Sequence, residues 1–151
     1  MARAVVALGC NLGDRESALT RATAAIAALA ETQLLAVSNH YETEPVDVPP
    51  AFRHLRFLNA AVLLETALAP LALLRALLQI EADFGRVRTV RNGPRPLDLD
   101  LILYAGVQMA TAELTLPHPR AHLRDFVLRP LADLGIARED LLFNRLPEGL
   151  Q

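Results

Sequence analysis

Over its first 104 residues this chain's apolar pattern switches between strand and helix periods in the order β-α-β-β-α-β, and few folds accept that order. The run RAVVAL (3–8) is short and β-branched and stops at Gly9, which suits a buried first strand followed by a tight turn. Asp14 stands as an N-cap, and from Arg15 to about Glu31 apolar residues recur at Leu19, Ala22, Ile26 and Leu29, a helical stripe that no glycine or proline breaks. QLLAVSNHYETEP (33–45) reads as a second strand, and FLNAAVLLET (57–66) as a third after a long proline-rich loop, PVDVPPAFRHLR. That loop is too rich in proline and charge for a simple hairpin, and its length invites a function. Pro70 opens a second helix that continues through Leu73, Leu74, Leu77, Leu78 and Ile80 to Phe84, with Gly85 as its stop. A fourth strand covers 97–104 and ends at Ala105-Gly106. The order predicts an α+β fold, a ferredoxin-like sandwich in which two helices cover one face of a mainly antiparallel sheet, with C-terminal additions.

Beyond residue 104 the pattern weakens. ELTLP (113–117) reads as a short strand pairing nearby, HPRAHLRDFVLRPLADLG (118–135) as short helical pieces divided at Pro130, and the last fifteen or so residues carry little pattern. No repeat, linker or low-complexity tract divides the chain, so residues 1–151 are expected to form one domain, long enough to bury roughly 70% of its unfolded surface.

Composition narrows the function classes. Apolar residues make up 52% of the chain and the formal charge is −2, which argues against disorder and against bulk attraction to nucleic acid or an anionic membrane. Any anion site must be local. The single cysteine, Cys10, cannot pair within the chain, so a reducing, cytoplasmic setting is the expectation. The opening MARAVVALGCNLGD is expected not to be a signal segment, and apolar windows such as LAPLALLRALLQI are interrupted by arginine and fall short of a bilayer span. All fifteen basic residues are arginine, which removes a Schiff-base lysine and a P-loop lysine together.

In LDLDLILY (97–104) two acids interrupt an apolar strand. Strand side chains alternate faces, so Asp98 and Asp100 project to one side while Leu97, Leu99 and Leu101 point to the other. Same-face residues lie roughly 6.5 to 7 Å apart at the α-carbon, close enough for the carboxylates to share or hold divalent cations. Such oxygen ligands suit Mg²⁺, which keeps waters and is completed by substrate phosphates. On these two residues alone, a strand end whose acids face water is equally open.

Their surroundings favour the cation. Arg86, Arg88, Arg91 and Arg95 crowd the loop before this strand, beside Gly85, Gly93 and Pro94. The guanidinium fork makes paired, charge-assisted hydrogen bonds to phosphoryl oxygens. Salt bridges to Glu81, Asp83 or Asp98 would account for one or two of these arginines, not the cluster. A second anion candidate is PHPRAHLRDF, with His118, Arg120, His122 and Arg124. Zinc is set aside there, because no acid or cysteine stands at metal-site spacing. A Walker loop and a nucleophile elbow are both missing.

ALGCNLGDR, YETEPV, FLNAAVLLET, IEADFGRVR, GPRPLDLDLILY and LTLPHPRAHLRDFVLRPLADL, in this order and spacing, resemble the 6-hydroxymethyl-7,8-dihydropterin pyrophosphokinase family of folate biosynthesis over about residues 4–135. The resemblance implies transfer of pyrophosphate from ATP to the pterin's hydroxymethyl oxygen with release of AMP. It implies that Asp98 and Asp100 bind two Mg²⁺ ions, with Arg86 and Arg95 as phosphate clamps and Arg88 as a weaker one. His118 and Arg124 would contact the ATP phosphates, and backbone groups near Leu101 and Thr115 would receive the adenine. Phe57 and Phe126 would sandwich the pterin ring, Asn59 would read its edge, and Thr43 and Val46 would add loop contacts. The partners so implied are the two small substrates alone, with no nucleic acid or membrane, and the expected state is a monomer.

Taken singly, Phe57 and Phe126 suit core packing as well, and Asn59 in an apolar strand needs a partner that a ligand or a backbone group would equally supply. Three positions depart from the family pattern: Cys10 where serine is common, Asn92 where a large aromatic often sits, and Pro119 where some members have tyrosine. Two rival readings are a ferredoxin-like sensing or RNA-binding module, which lacks the basicity of RNA readers, and another Mg²⁺-dependent phosphotransferase.

Overall fold

The computed structural model describes residues 1–44, 49–52, 56–85 and 96–146. In chain order the regular elements are β1 (Ala2–Cys10), α1 (Arg15–Ala27), β2 (Thr32–Val37), β3 (Tyr41–Thr43), β4 (Phe57–Thr66), α2 (Pro70–Asp83), β5 (Asp98–Tyr104), β6 (Met109–Ala110), β7 (Thr115–Leu116), α3 (Asp125–Asp133) and α4 (Arg138–Leu142). The main sheet runs β2-β4-β1-β5, with β3 also on β4, and every pairing in it is antiparallel. Strands β1 and β2, joined through α1, therefore run parallel with β4 between them, the split βαβ arrangement expected from the element order.

Strand β4 reads as a nearly continuous apolar run because both its faces are covered. On one face Val6, Leu8, Leu58, Ala60, Val62, Leu64, Leu99 and Leu101 pack with Leu19 and Ile26 of α1 and Leu73 and Leu77 of α2. On the other, Val5, Ala61, Leu63 and Ile102 pack with Val127 and Leu131 of α3 and with Leu134, Ile136 and Leu141. Helices α1 and α2 thus cover one face as expected, and the C-terminal additions build this second core on the other. It uses the final segment, where α4 delivers Leu141 although the local pattern is weak.

Local chemistry sets the element ends. The Asp14 carboxylate accepts from the Ser17 N–H at 3.1 Å and opens α1. The helix stops at Ala27, short of Glu31, and Glu31 takes a left-handed backbone (φ 53°) just before β2 begins at Thr32. Helix α2 begins at Pro70 and is followed by Gly85 at φ 81°, a conformation suited to glycine.

The strand expected over 33–45 divides into β2 and β3. At the break, buried Ser38 gives its N–H to the Ala61 carbonyl (2.9 Å), and its Oγ accepts from the Ala61 N–H (2.8 Å) while donating to the Asn39 carbonyl (2.7 Å). A hydroxyl thus replaces a ladder carbonyl, and the backbone leaves the sheet for a few residues before rejoining it. Helix α3 runs through Pro130 instead of dividing there. The proline removes one intrahelical donor, and burial of Val127, Pro130 and Leu131 against the sheet offsets the loss. The strand read at 113–117 narrows to β7, paired with β6 in a small hairpin. Among the described residues no helix is long and apolar enough to cross a membrane.

Ser38→Ala leaves the buried Ala61 N–H without its acceptor. The substitution is expected to lower unfolding free energy by about 1–3 kcal/mol in urea denaturation, with an unchanged m-value.

Candidate active site

The alternation read in the fourth strand holds. Leu97, Leu99 and Leu101 are buried in the core beneath α1 and α2, while Asp98 and Asp100 are half-buried on the opposite face. Register places them beside small residues of β1: Gly9 lies opposite Asp98 and Ala7 opposite Asp100. Across β1 the same row continues, with Asn59 opposite Gly9 and Ala61 opposite Ala7, and then Tyr41 opposite Asn59 and Thr43 opposite Phe57. Asp98 and Asn59 therefore share a face with one glycine between them, two strand spacings or about 10 Å apart.

Gly9 is no turn residue, as the sequence suggested; β1 continues through it to Cys10. A Cβ at Gly9 would stand 3.0 Å from Asn59 Oδ1 and 3.9 Å from Phe57 Cδ1, so the missing side chain is what lets the amide lie over the strand. The Asn59 Nδ2 donates to Thr43 Oγ1 at 2.6 Å, and the amide is 6% exposed. A neighbouring strand's hydroxyl thus supplies a partner for the polar group in this apolar strand.

Helix α3 closes one side of this face. The Tyr41 hydroxyl donates to both Asp133 oxygens (2.8 and 2.7 Å), the Asn39 N–H donates to Asp133 Oδ2 (2.9 Å), and the Arg129 guanidinium lies 4.8 Å from the Tyr41 ring centroid. Hydrogen bonding to Asp133 holds the Tyr41 phenol above its ordinary pKa. These contacts fasten α3 to β3, and α3 carries half-buried Phe126 in its first turn, packed against the second core. The Arg124 guanidinium, at the helix entry, lies 5.5 Å from the Phe126 centroid. Phe57 is half-buried at the start of β4.

His118 approaches from the outer edge of β5. Its N–H donates to the Ile102 carbonyl at 2.8 Å, and its Nδ1 accepts from the Arg120 N–H at 3.2 Å, so the neutral ring carries its proton on Nε2. Burial lowers its pKa, Arg124 and Arg120 lower it further, and Asp98 opposes them. The ring therefore sits within electrostatic reach of both Asp98 and Arg124. The Leu101 side chain is buried in the helix-side core, which leaves its backbone as the part available to a ligand, and Thr115 is exposed on β7. Val46, Arg86, Arg88 and Arg95 lie outside the described residues.

Two features escaped the sequence reading because their partners are far apart in the chain. Arg15 bonds Glu42 (2.6 Å) and the Arg56 carbonyl (2.9 Å), while Arg56 pairs with Glu42 (3.4 Å) and Glu44 (3.2 Å). These ion pairs hold both ends of the loop between β3 and β4, and the two arginines keep Glu42 below its ordinary pKa. The second is Glu81, a 2% exposed carboxylate whose Oε2 accepts from the Leu99 N–H at 2.7 Å.

Two hard carboxylates on one face, set opposite Gly9 and Ala7, fit a divalent cation such as Mg²⁺. Among the described residues no group of three or more His, Cys, Asp and Glu forms a cage, so such an ion would take its remaining ligands from water or a bound phosphate.

The chain is similar to known proteins along most of its length. Residues 5–136 match the family model described as 7,8-dihydro-6-hydroxymethylpterin-pyrophosphokinase (HPPK). The chain is 44% identical over 131 residues to the 2-amino-4-hydroxy-6-hydroxymethyldihydropteridine pyrophosphokinase of Bacillus subtilis, covering 87% of this chain and 77% of that one. It is 45% identical over 147 residues to the protein of the same name from Pseudomonas aeruginosa, covering 97% and 85%. Among solved structures, wild-type HPPK-DHPS of Plasmodium falciparum shares the fold at a TM-score of 0.63 and 14% identity, over 89% of this chain and 40% of that one.

Gly9→Ala is expected to displace the Asn59 amide slightly and strain its bond to Thr43, which a shift of the Asn59 side-chain NH₂ signals in a ¹⁵N spectrum will report. His118 in the ligand-free chain is expected to titrate below the ordinary histidine pKa by NMR. Because its folded pKa is depressed, the unfolded chain takes the proton first, so stability falls as pH drops below about 6.5 and levels off below the folded value. His118→Gln removes that slope.

Proposed function

The chain belongs to the 7,8-dihydro-6-hydroxymethylpterin-pyrophosphokinase family, and from that premise we propose that it transfers the pyrophosphoryl group of ATP to the hydroxymethyl oxygen of 6-hydroxymethyl-7,8-dihydropterin in folate synthesis. In this reaction the hydroxymethyl oxygen bonds to the β-phosphorus as the bond between that phosphorus and the α,β-bridging oxygen breaks. AMP leaves with the bridging oxygen, and the hydroxyl proton passes to solvent.

The observation that carries this reading is the shared face on which Asp98 and Asp100 stand with Asn59, Asp98 two strand spacings or about 10 Å from it across Gly9. A flat bicyclic ring that meets Asn59 with its polar edge would extend its hydroxymethyl arm toward the aspartates. Phe57 and Phe126 supply the stacking faces, and Thr43 orients the amide through the 2.6 Å bond. Asp98 and Asp100 would hold two Mg²⁺ ions, which when bound neutralise charge on the phosphate oxygens. The Nε2–H of His118 and the Arg124 guanidinium are donors for the same phosphates. By the family resemblance Arg86, Arg95 and, more weakly, Arg88 clamp the transferred group, Val46 adds a pterin contact, and backbone near Leu101 and Thr115 receives the adenine.

Phosphoryl transfer of this kind needs positioning and charge neutralisation more than a base, and these residues supply both. The reading includes a monomeric enzyme in the cytoplasm that takes only small-molecule partners.

Incubation of the chain with ATP, Mg²⁺ and the hydroxymethyl pterin should yield AMP. Production of ADP would mark a different phosphotransferase, and no turnover would overturn the enzyme reading. Asp98→Ala and Asp100→Ala should each lower turnover by at least about 1,000-fold, the equivalent of several kcal/mol of lost charge stabilisation, with near-native circular dichroism. Full activity in either would remove the metal assignment.

A further inference from the structure

Strand β5 lies at the end of the sheet order and bonds to β1 along one side only. The N–H and C=O groups on its outer side need other partners. Among the described residues two contacts provide them, one between the aspartates and one further along the strand. The Leu99 N–H, between Asp98 and Asp100, donates to Glu81 Oε2 at 2.7 Å, and the Ile102 carbonyl accepts from the His118 N–H at 2.8 Å.

Glu81 is a costly acceptor to set against this amide. It is 2% exposed, on the last turn of α2, where Leu77 and Ile80 face the apolar core. A carboxylate there must be dehydrated, and packing alone would be served by a leucine. What the carboxylate adds to β5 is a short, charge-assisted bond to one chosen point of its backbone. That point is the peptide between the two acids, so the bond restrains the backbone on which both side chains are mounted. Glu81 approaches from α2, in the core occupied by Leu99, while the aspartates project to the opposite face, so it acts through the strand and not on the ions.

We propose that Glu81 is a positioning residue, whose bond to the Leu99 amide holds the edge of β5 so that Asp98 and Asp100 present their carboxylates together to divalent cations. The inference rests on the metal reading under Proposed function, and its test separates the two.

The test compares the wild-type chain with Glu81→Ala, Glu81→Gln and Asp100→Asn, using Mn²⁺ with α,β-methylene-ATP as the probe and electron paramagnetic resonance to count free Mn²⁺. Hydrogen exchange at the Leu99 amide is followed in parallel. Glu81→Ala is expected to speed Leu99 exchange and weaken Mn²⁺ binding about 10-fold or more, the loss typical of a group that orients metal ligands. Glu81→Gln, which keeps a neutral acceptor, is expected to restore Leu99 protection and bring Mn²⁺ affinity back to within about threefold of wild type. Should the alanine chain fail to fold, Glu81→Asp withdraws the acceptor by one methylene and serves the same comparison. Faster Leu99 exchange with unchanged Mn²⁺ affinity, while Asp100→Asn binds weakly, would overturn the positioning role and leave the metal site standing. Wild-type chain that binds no Mn²⁺ with the nucleotide would overturn both.

Discussion

Register between β1 and its two neighbours is the constraint on which the rest depends. A strand's side chains change face at every residue, so a slip of β5 by one position would send Asp98 and Asp100 into the core under α1 and α2 and turn Leu99 to the site. The same slip between β1 and β4 would part Gly9 from Asn59. What prevents it is burial on both sides: leucines and valines of β1, β4 and β5 fill two cores, and any slip exposes one set while burying acids in place of the other. Irregularities at Val5/Val6 and Leu34/Ala36 adjust the edge strands to the central pair without disturbing the row that contains the site.

The two faces of the sheet divide the labour. The side under α1 and α2 is apolar along most of its length and serves stability. The other face changes character along the strands: Val5, Leu63 and Ile102 anchor α3 at one end, while Ala7, Gly9, Asn59, Asp98 and Asp100 occupy the other. Small residues there leave room where large ones would have completed the core. Helix α3 spans both regions, and its fastening to β3 through Asp133, Tyr41 and Arg129 sets how Phe126 and Arg124 meet the open end. Stability and site are thus built from the same strands, a few residues apart.

Much of this was legible because it is local. Period-two alternation put the two aspartates on one face, helical stripes and end signals located α1 and α2, and element order gave the sheet's connectivity. The misreadings each involve a distant partner. Ser38 breaks a strand by bonding Ala61, Pro130 survives in a helix because the second core buries it, and the final segment gains α4 although its own pattern is faint. Gly9 looked like a turn because glycine more often marks one; its role becomes visible only when Asn59 is laid beside it. The arginine-rich loop and Val46 lie outside the described residues, so their assignment stands on family resemblance.

By itself the sequence determined the kinds of element, their order, the side of the strand on which the acids stand and the family to which the chain belongs. All of these follow from spacing and residue type within short windows. Tertiary structure alone decided that Asn59 bonds Thr43, that His118 comes within electrostatic reach of Asp98 and Arg124, that Arg15 and Arg56 brace one loop through Glu42, and that Glu81 holds Leu99. Such pairs join residues that only the folded sheet brings within a hydrogen bond's length, and no pattern along the chain encodes a distance across it.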